Sequence, residues 1–429
     1  MNKSIKHILT IALIFVTGVA VSQVAKGKTG TFALTNATIE TVTNGTIPNG
    51  TLVITDGKIS EVGSNVTIPA GAETIDCSGL TIYPGMIDSG TSLGLVEVSS
   101  DPRTRDNSEI GDVIPHIQAL TAVNPNSALI PVTRVSGVTT VMSVPSGGLF
   151  PGTAALINLH GYNPDQMFAG VKAVVMNFPA TGRRGRWDRR SDEDIKKGAE
   201  KALKQLDDVY DKAIQFHKID SAGGKQAYYP EMEALLPMVK GERKLMINVN
   251  AANDIKAAIK WVDGKNLDVV FCGVAEGWRV AEELAKANIP VIAGPALSNP
   301  RRSYDRYDRP YANAGIMQKA GVKVALRTNE TENVRNLPYN AGFSAAYGMG
   351  REEALKAITI VPAEILGVGD KYGSLEKGKI ANLFVTDGDP FETKTQVKYV
   401  FIAGWMVPMD SRHIQLYNEF LERAPGVDK

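Results

Sequence analysis

The sequence predicts an α/β protein, a (β/α)8 TIM barrel carrying a small β-sandwich domain built from both chain ends. Three observations lead there. Eight apolar runs of strand length lie between Leu80 and Thr328, as expected where both faces of a parallel strand are buried. Amphipathic stretches of helical period separate them, and eight such units fit a barrel. Both ends of the chain carry strand-sized pieces with turn signals between them, which suits one accessory β domain.

Residues 1–22 read as a secretory signal. Lys3 and Lys6 open it, Ile8 to Val19 is free of charge, and Ala20-Val21-Ser22 offers small residues for cleavage. The apolar run is shorter than the ~20 residues of a spanning helix. The expected mature protein is periplasmic or secreted from a bacterium, with cleavage near Ser22 and no membrane span.

Residues 23–83 form the first part of the β-sandwich. Thr31–Ala37, Gly50–Thr55 and Lys58–Val62 are its strands, with hairpin signals at Asn44-Gly45, Asn49-Gly50 and Asp56-Gly57. The barrel occupies 84–372. Its expected strands are Leu80–Asp88, Val138–Val144, Ala154–Leu159, Lys172–Phe178, Leu245–Asn250, Asp268–Gly273, Pro290–Ala293 and Val322–Thr328. The clearest helix follows Ser191 as N-cap, with Ile195, Ala199, Leu203, Leu206, Tyr210, Ala213 and Ile214 at helical spacing. Residues 373–410 return to strands at Ala381–Thr386, Val397–Ala403 and Trp405–Pro408, and 411–429 form a helix or tail.

Lys+Arg number 47 and Asp+Glu 46, so the net charge is +1 and nothing points to nucleic acid. Two cysteines exclude a disulfide scaffold and a Cys-built zinc site. Cys77 and Cys272 fall in different subdomains and are expected as separate buried thiols.

Six stretches in order resemble the amidohydrolase superfamily, most closely its imidazolonepropionase-related branch. They are TIYPGMID (Thr81–Asp88), GVTTV (Gly137–Val141), NDIKAAIKW (Asn253–Trp261), AEGWRVAEELAKANIPVIAGP (Ala275–Pro295), EEALKAITIVPAEILGV (Glu352–Val368) and GSLEKGKIANLFVTDGDP (Gly373–Pro390). The resemblance implies a metal-dependent hydrolase of C–N bonds with zinc held at the C-terminal ends of the barrel strands. The residues it calls for are replaced. Gly90 and Ser92 stand where the first strand brings two histidines, Asn248 where the fifth brings another, and Gly273 where the sixth does. Asn329 stands where the eighth strand brings a metal-binding aspartate that takes a proton from water.

Glycine has no donor, an amide oxygen is a poor zinc ligand, and an amide is no base near pH 7. The expectation is a protein without a metal cofactor. It would be a pseudoenzyme that binds a ligand, or a subunit beside an intact paralogue or a second copy of itself. The alternative is a working hydrolase of peptide-like or other C–N bonds on a non-standard site, and no residue is assigned a catalytic role.

Candidate pocket residues are Asp88, Asn250, Glu276 and His160. Asp88 either meets a ligand or orients backbone, and Glu276 most simply caps the helix beginning near Gly277. His160 ends a strand and so could approach the mouth; with His116 and His217 it is otherwise a structural histidine. Three arginine-rich loops hold Arg103 and Arg105, then Arg183, Arg184, Arg186, Arg189 and Arg190, then Arg301, Arg302, Arg306 and Arg309. Barrel topology brings them to the C-terminal face. Arg183, Arg184, Arg186, Arg301 and Arg302 are the candidate rim for a small anion or a partner. The interleaved Asp188, Asp305 and Asp308 allow the other reading, solvated and locally paired charge.

Overall fold

The computed structural model describes residues 27–183, 188–224 and 227–423. The expected signal, Arg184 and Arg186 lie outside the described residues. Among those described, no helix is long and apolar enough to cross a membrane.

Five strands come first: β1 (Phe32–Glu40), β2 (Thr46–Thr55), β3 (Lys58–Gly63), β4 (Glu73–Asp76) and β5 (Thr81–Pro84). The barrel strands are β6 (Met86–Thr91), β7 (Val138–Ser143), β8 (Gly152–Asn158), β9 (Phe168–Asn177), β10 (Leu245–Val249), β11 (Val269–Gly273), β12 (Val291–Ala293) and β13 (Val324–Leu326). Three more close the chain: β14 (Leu383–Thr386), β15 (Val397–Ile402) and β16 (Trp405–Met406).

β6 to β13 form one sheet in sequence order. Its two edges meet where Asn329 N donates to Gly90 O at 3.0 Å and Ser92 N to Glu330 O at 3.3 Å. This is a TIM-barrel-like α/β fold with a separate sheet domain. Two expectations need correction. β8 runs antiparallel to both β7 and β9. Only residues 144–151 connect β7 to β8, too few for a parallel crossover of a dozen residues or more, so the chain folds back as a hairpin. Leu80–Asp88 is two strands, not one. At Gly85, between them, an added Cβ would sit 2.1 Å from Thr139 Oγ1, so the chain changes sheets where only glycine fits.

The helix expected after Ser191 spans Asp192–Ser221, with Ser191 Oγ accepting from Asp194 N at 3.0 Å. Ile195, Ala199, Leu206 and Ala213 form its buried stripe, and three acidic residues in its first turn suit the positive end of the helix.

The second domain is one sheet in the order β16-β15-β14-β5-β1-β2-β3, with β4 also on β1. Strands from the two chain ends meet where β5 pairs with β14. β1 changes partner along its length, from β4 at Phe32–Thr35 to β5 at Thr38 and Ile39, and its register shifts against β2. The sheet thereby curls over Phe32, Leu34, Ile39, Leu52, Ile54 and Phe401. Cys77 lies in this core and Cys272 in the barrel's, and both are free. Burial pushes each thiol up to about 11.

Candidate functional site at the barrel mouth

The C-terminal ends of the parallel strands define the mouth, the usual site face of such barrels. Gly90, Asn248 and Gly273 lie at the ends of β6, β10 and β11, and Asn329 follows β13. The space between them holds the side chain of Arg327. A Cβ on Gly90 would lie 2.8 Å from Arg327 Cδ and 3.2 Å from Nη1. A Cβ on Gly273 would lie 2.5 Å from Asn250 Oδ1 and 3.3 Å from Arg327 Nη2. The Arg327 side chain fills the room a side chain at Gly90 would need, and with Asn250 it narrows the room at Gly273.

Arg327 is 6% exposed. Its Nη1 donates to Asn248 Oδ1 at 3.3 Å, while its buried Nε has no hydrogen-bond partner. Asn248 Nδ2 passes the chain on to Asn177 Oδ1 at 2.9 Å, and Asn177 Nδ2 donates to Gly147 O at 2.9 Å and Gly148 O at 2.7 Å. This relay of amides fixes which end of Asn248 faces Arg327: the oxygen.

Asp88 is fully buried. Oδ1 accepts from Gly90 N at 3.1 Å and Thr328 N at 3.2 Å, and Oδ2 accepts from the Thr328 hydroxyl. Burial pushes its carboxyl up to about 6 against the opposing pull of these donors and of the Arg327 charge. Burial likewise draws Arg327 below the ordinary arginine value. Asp88 thus clamps β6 to the end of β13 and orients backbone. The Ser92 hydroxyl meets that of Thr331. Asn329 adopts a left-handed φ of 54° and is exposed on the lip. Asn250 Oδ1 accepts from Ala275 N at 3.4 Å.

Glu276 caps a different helix from the one expected. Its Oε2 accepts from Ala252 N at 2.9 Å, at the start of the helix Ala252–Val262, and Arg302 grips both oxygens at 2.5 Å and 2.8 Å. Against the upward push of burial, the Arg302 fork and the Ala252 N–H hold its carboxyl below the ordinary value. His160 is far from its expected place. Because β8 runs antiparallel, its end lies on the barrel floor, where the His160 ring meets Trp405 at 5.2 Å between centroids.

The rim arginines are mostly turned to their own neighbours. Arg103 pairs with Asp101, Arg190 with Asp188, Arg306 with Asp308 and Arg302 with Glu276. Arg183 donates to Asp188 O, Arg190 O and Asp192. Arg301 makes no ion pair among the described residues. It borders a cleft of about 80 Å³ with Asn250, Gly273, Trp278, Pro295 and Arg309.

The donors at the mouth do not suit zinc. Among the described residues no group of three or more His, Cys, Asp or Glu is placed to hold a metal ion. A guanidinium is donor-only and positive, so Arg327 repels a cation from the space it fills. These residues do not fit the metal that the resemblance implies. Arg327, Asn177 and Trp278 are functional candidates that the sequence reading missed. A signal existed for Arg327: a charged residue ending an apolar run is rarely buried without a role.

The sequence model of the Amidohydrolase family matches residues 136–407. An amidohydrolase from Thermotoga maritima is similar in structure, with a TM-score of 0.76 and 26% identity over 88% of this chain and 99% of that one. An imidazolonepropionase of Mesorhizobium japonicum is 23% identical over 85% of this chain and 93% of its own. The amidohydrolase tasK of Hapsidospora irregularis is 21% identical over 83% of this chain, which spans 39% of that protein's length. Sequence, barrel and accessory sheet agree over the same residues, and the chain belongs to the amidohydrolase family.

Proposed function

We propose that this protein is an exported, metal-independent family member that binds a small ligand at the barrel mouth, or serves there as a partner subunit, instead of hydrolysing a C–N bond on zinc. The observation that supports this most is Arg327, which fills the space left by Gly90 and Gly273. A hydrolase of the usual kind needs a Lewis acid and a base on the attacking water. The guanidinium of Arg327 beside Gly90 and Gly273 supports the absence of the first, and Asn329, an amide, supports the absence of the second.

The competing reading is a hydrolase that uses Asp88, whose carboxyl is pushed up to about 6, as base. Geometry disfavours it, because Asp88 is 0% exposed and its oxygens are engaged by Gly90 and Thr328. Elemental analysis of protein purified with zinc is the test, with far less than one metal per chain expected. The melting temperature should not change with a strong chelator. A dialysis-resistant stoichiometric metal overturns the reading, and so does amide turnover that Asp88→Asn abolishes. An intact paralogue or a second copy recovered with the purified full chain would point to the subunit role.

A further inference from the structure

We infer that the cleft beside Arg327 is a binding site for a short-chain organic carboxylate, held by Arg301 and Arg309 and drawn in by the buried Arg327 charge. The inference rests on the metal-free reading, since a zinc ion at the mouth would replace Arg327 as the attracting charge. The acidic groups on the cleft are already matched: Glu276 pairs with Arg302, and Asp305 with Arg279. Arg301 and Arg309 border the same cleft and make no ion pair among the described residues. Arg327 stands behind the floor, its Nη2 3.3 Å from where a Cβ on Gly273 would be. Asp88 faces Gly90 and Thr328 and, among the described residues, makes no salt bridge with Arg327, although the two charges act on each other. Arg301 and Arg309 are thus positive charges on the cleft that no carboxylate pairs among the described residues.

The walls are fixed in advance. Asn313 Oδ1 accepts from Trp278 N at 2.8 Å and its Nδ2 donates to Val274 O at 2.9 Å. Asn340 Oδ1 accepts from Ala296 N at 2.9 Å and Leu297 N at 3.1 Å. Arg279 and Arg309 stack on the Trp278 ring at 4.0 Å and 4.6 Å from its centroid. Such a preorganised frame lowers the ordering cost of binding. Pro295, Ala296 and Pro300 give an apolar side for a short carbon chain. The volume, about 80 Å³, is several times what one water needs, enough for a carboxylate and a few carbons. A monoanion suits it better than a phosphate, because the carboxylates of Glu276 and Asp305 penalise a second negative charge.

The probe pair is propanoate and propanamide, equal in shape and different in charge, followed by ligand-observed NMR and by Trp fluorescence. Propanoate should bind at least about tenfold tighter than propanamide, a difference of about 1.4 kcal/mol. Arg301→Ala with Arg309→Ala should remove that preference. Arg327→Met should weaken propanoate several-fold and Arg327→Lys should restore it, while Arg103→Ala should bind as the parent does. Equal binding of the two probes, or full propanoate binding by the Arg301/Arg309 double variant, overturns the inference. If propanoate fails to bind and the protein is metal-free, only this inference falls. If zinc binds stoichiometrically and displaces propanoate, the metal-free reading falls too.

Discussion

The floor and the mouth of the barrel each bury an arginine whose Nε lacks a partner, Arg134 and Arg327. At the floor the sheet domain covers the charge: His160 stacks on Trp405, and an added Cβ on Gly27 would meet the His160 ring at 3.1 Å. Burial, then the Arg134 charge, pulls His160 down to about 4. At the mouth burial pushes Asp88 up to about 6. Both groups favour their neutral forms, and they respond to pH in opposite directions. At the floor the half-buried His160 packs on Trp405, whereas the mouth leads to a cleft lined by Arg301 and Arg309. A buried charge thus lies under protein at one end and beside an open cleft at the other.

The comparison breaks first on glycine. Gly85→Val at the floor should cost about 3 kcal/mol or more by overpacking, since its first atom would fall 2.1 Å from Thr139 Oγ1. Gly90→Ala at the mouth should cost under about 1 kcal/mol, because its neighbour at 2.8 Å is the flexible Arg327 chain, which can give way. Denaturant unfolding of both variants measures the contrast, and equal losses would erase it.

The pH dependence is the next largest effect. Asp88 has a folded pKa raised from 3.8 to about 6. Its contribution is therefore fully present below about 4 and lost as pH rises through about 6, up to about 3 kcal/mol. Asp88→Asn should flatten the stability profile in that window relative to the parent. His160 has the reverse sign. Its pKa falls from 6.5 to about 4, so stability present above about 6.5 is lost as pH drops toward 4. His160→Asn should remove that loss, so the melting-temperature difference between parent and variant changes as pH falls from about 6.5 to about 4 and stays constant above about pH 7. Parallel profiles for either pair between about pH 4 and 6.5 would contradict the assigned environment.

The smallest effect concerns the relay. Asn248→Leu should cost about 1–2 kcal/mol, because it strands Arg327 Nη1 and the Asn177 oxygen. It should reduce propanoate affinity less than Arg301→Ala does. A larger binding loss than that of Arg301→Ala would place Asn248, not the cleft arginines, in contact with ligand.

Much of the barrel was legible because continuous apolar runs of strand length are a strong local signal. Direction was not in those runs. It was in the short link between β7 and β8, whose length forbids a parallel crossover, and overlooking it sent His160 to the wrong end. Gly90, Ser92, Asn248, Gly273 and Asn329 were placed through motif offsets, and Gly90, Asn248 and Gly273 lie at strand ends of the mouth. The Arg327 side chain between them was not legible, because its path depends on packing rather than on order in the chain. Glu276 failed for the same reason: the helix it caps begins 24 residues earlier, at Ala252. The arginine loops were readable as charge but not as pairing, which is settled by local turns such as Asp101 to Arg103.

The sheet domain has a consequence for how the molecule is made. β5 lies between β1 and β14, with Pro84 set against Leu383 in register. During synthesis the N-terminal strands leave the ribosome long before that partner exists, and loop closure over so long a span is slow to be rewarded. Until the last strands arrive, β5 presents a bare, apolar pairing edge. A ribosome stalled before β14 would hold a chain poised to aggregate, and the same sheet, once complete, ties the start of the protein to its end like a clasp.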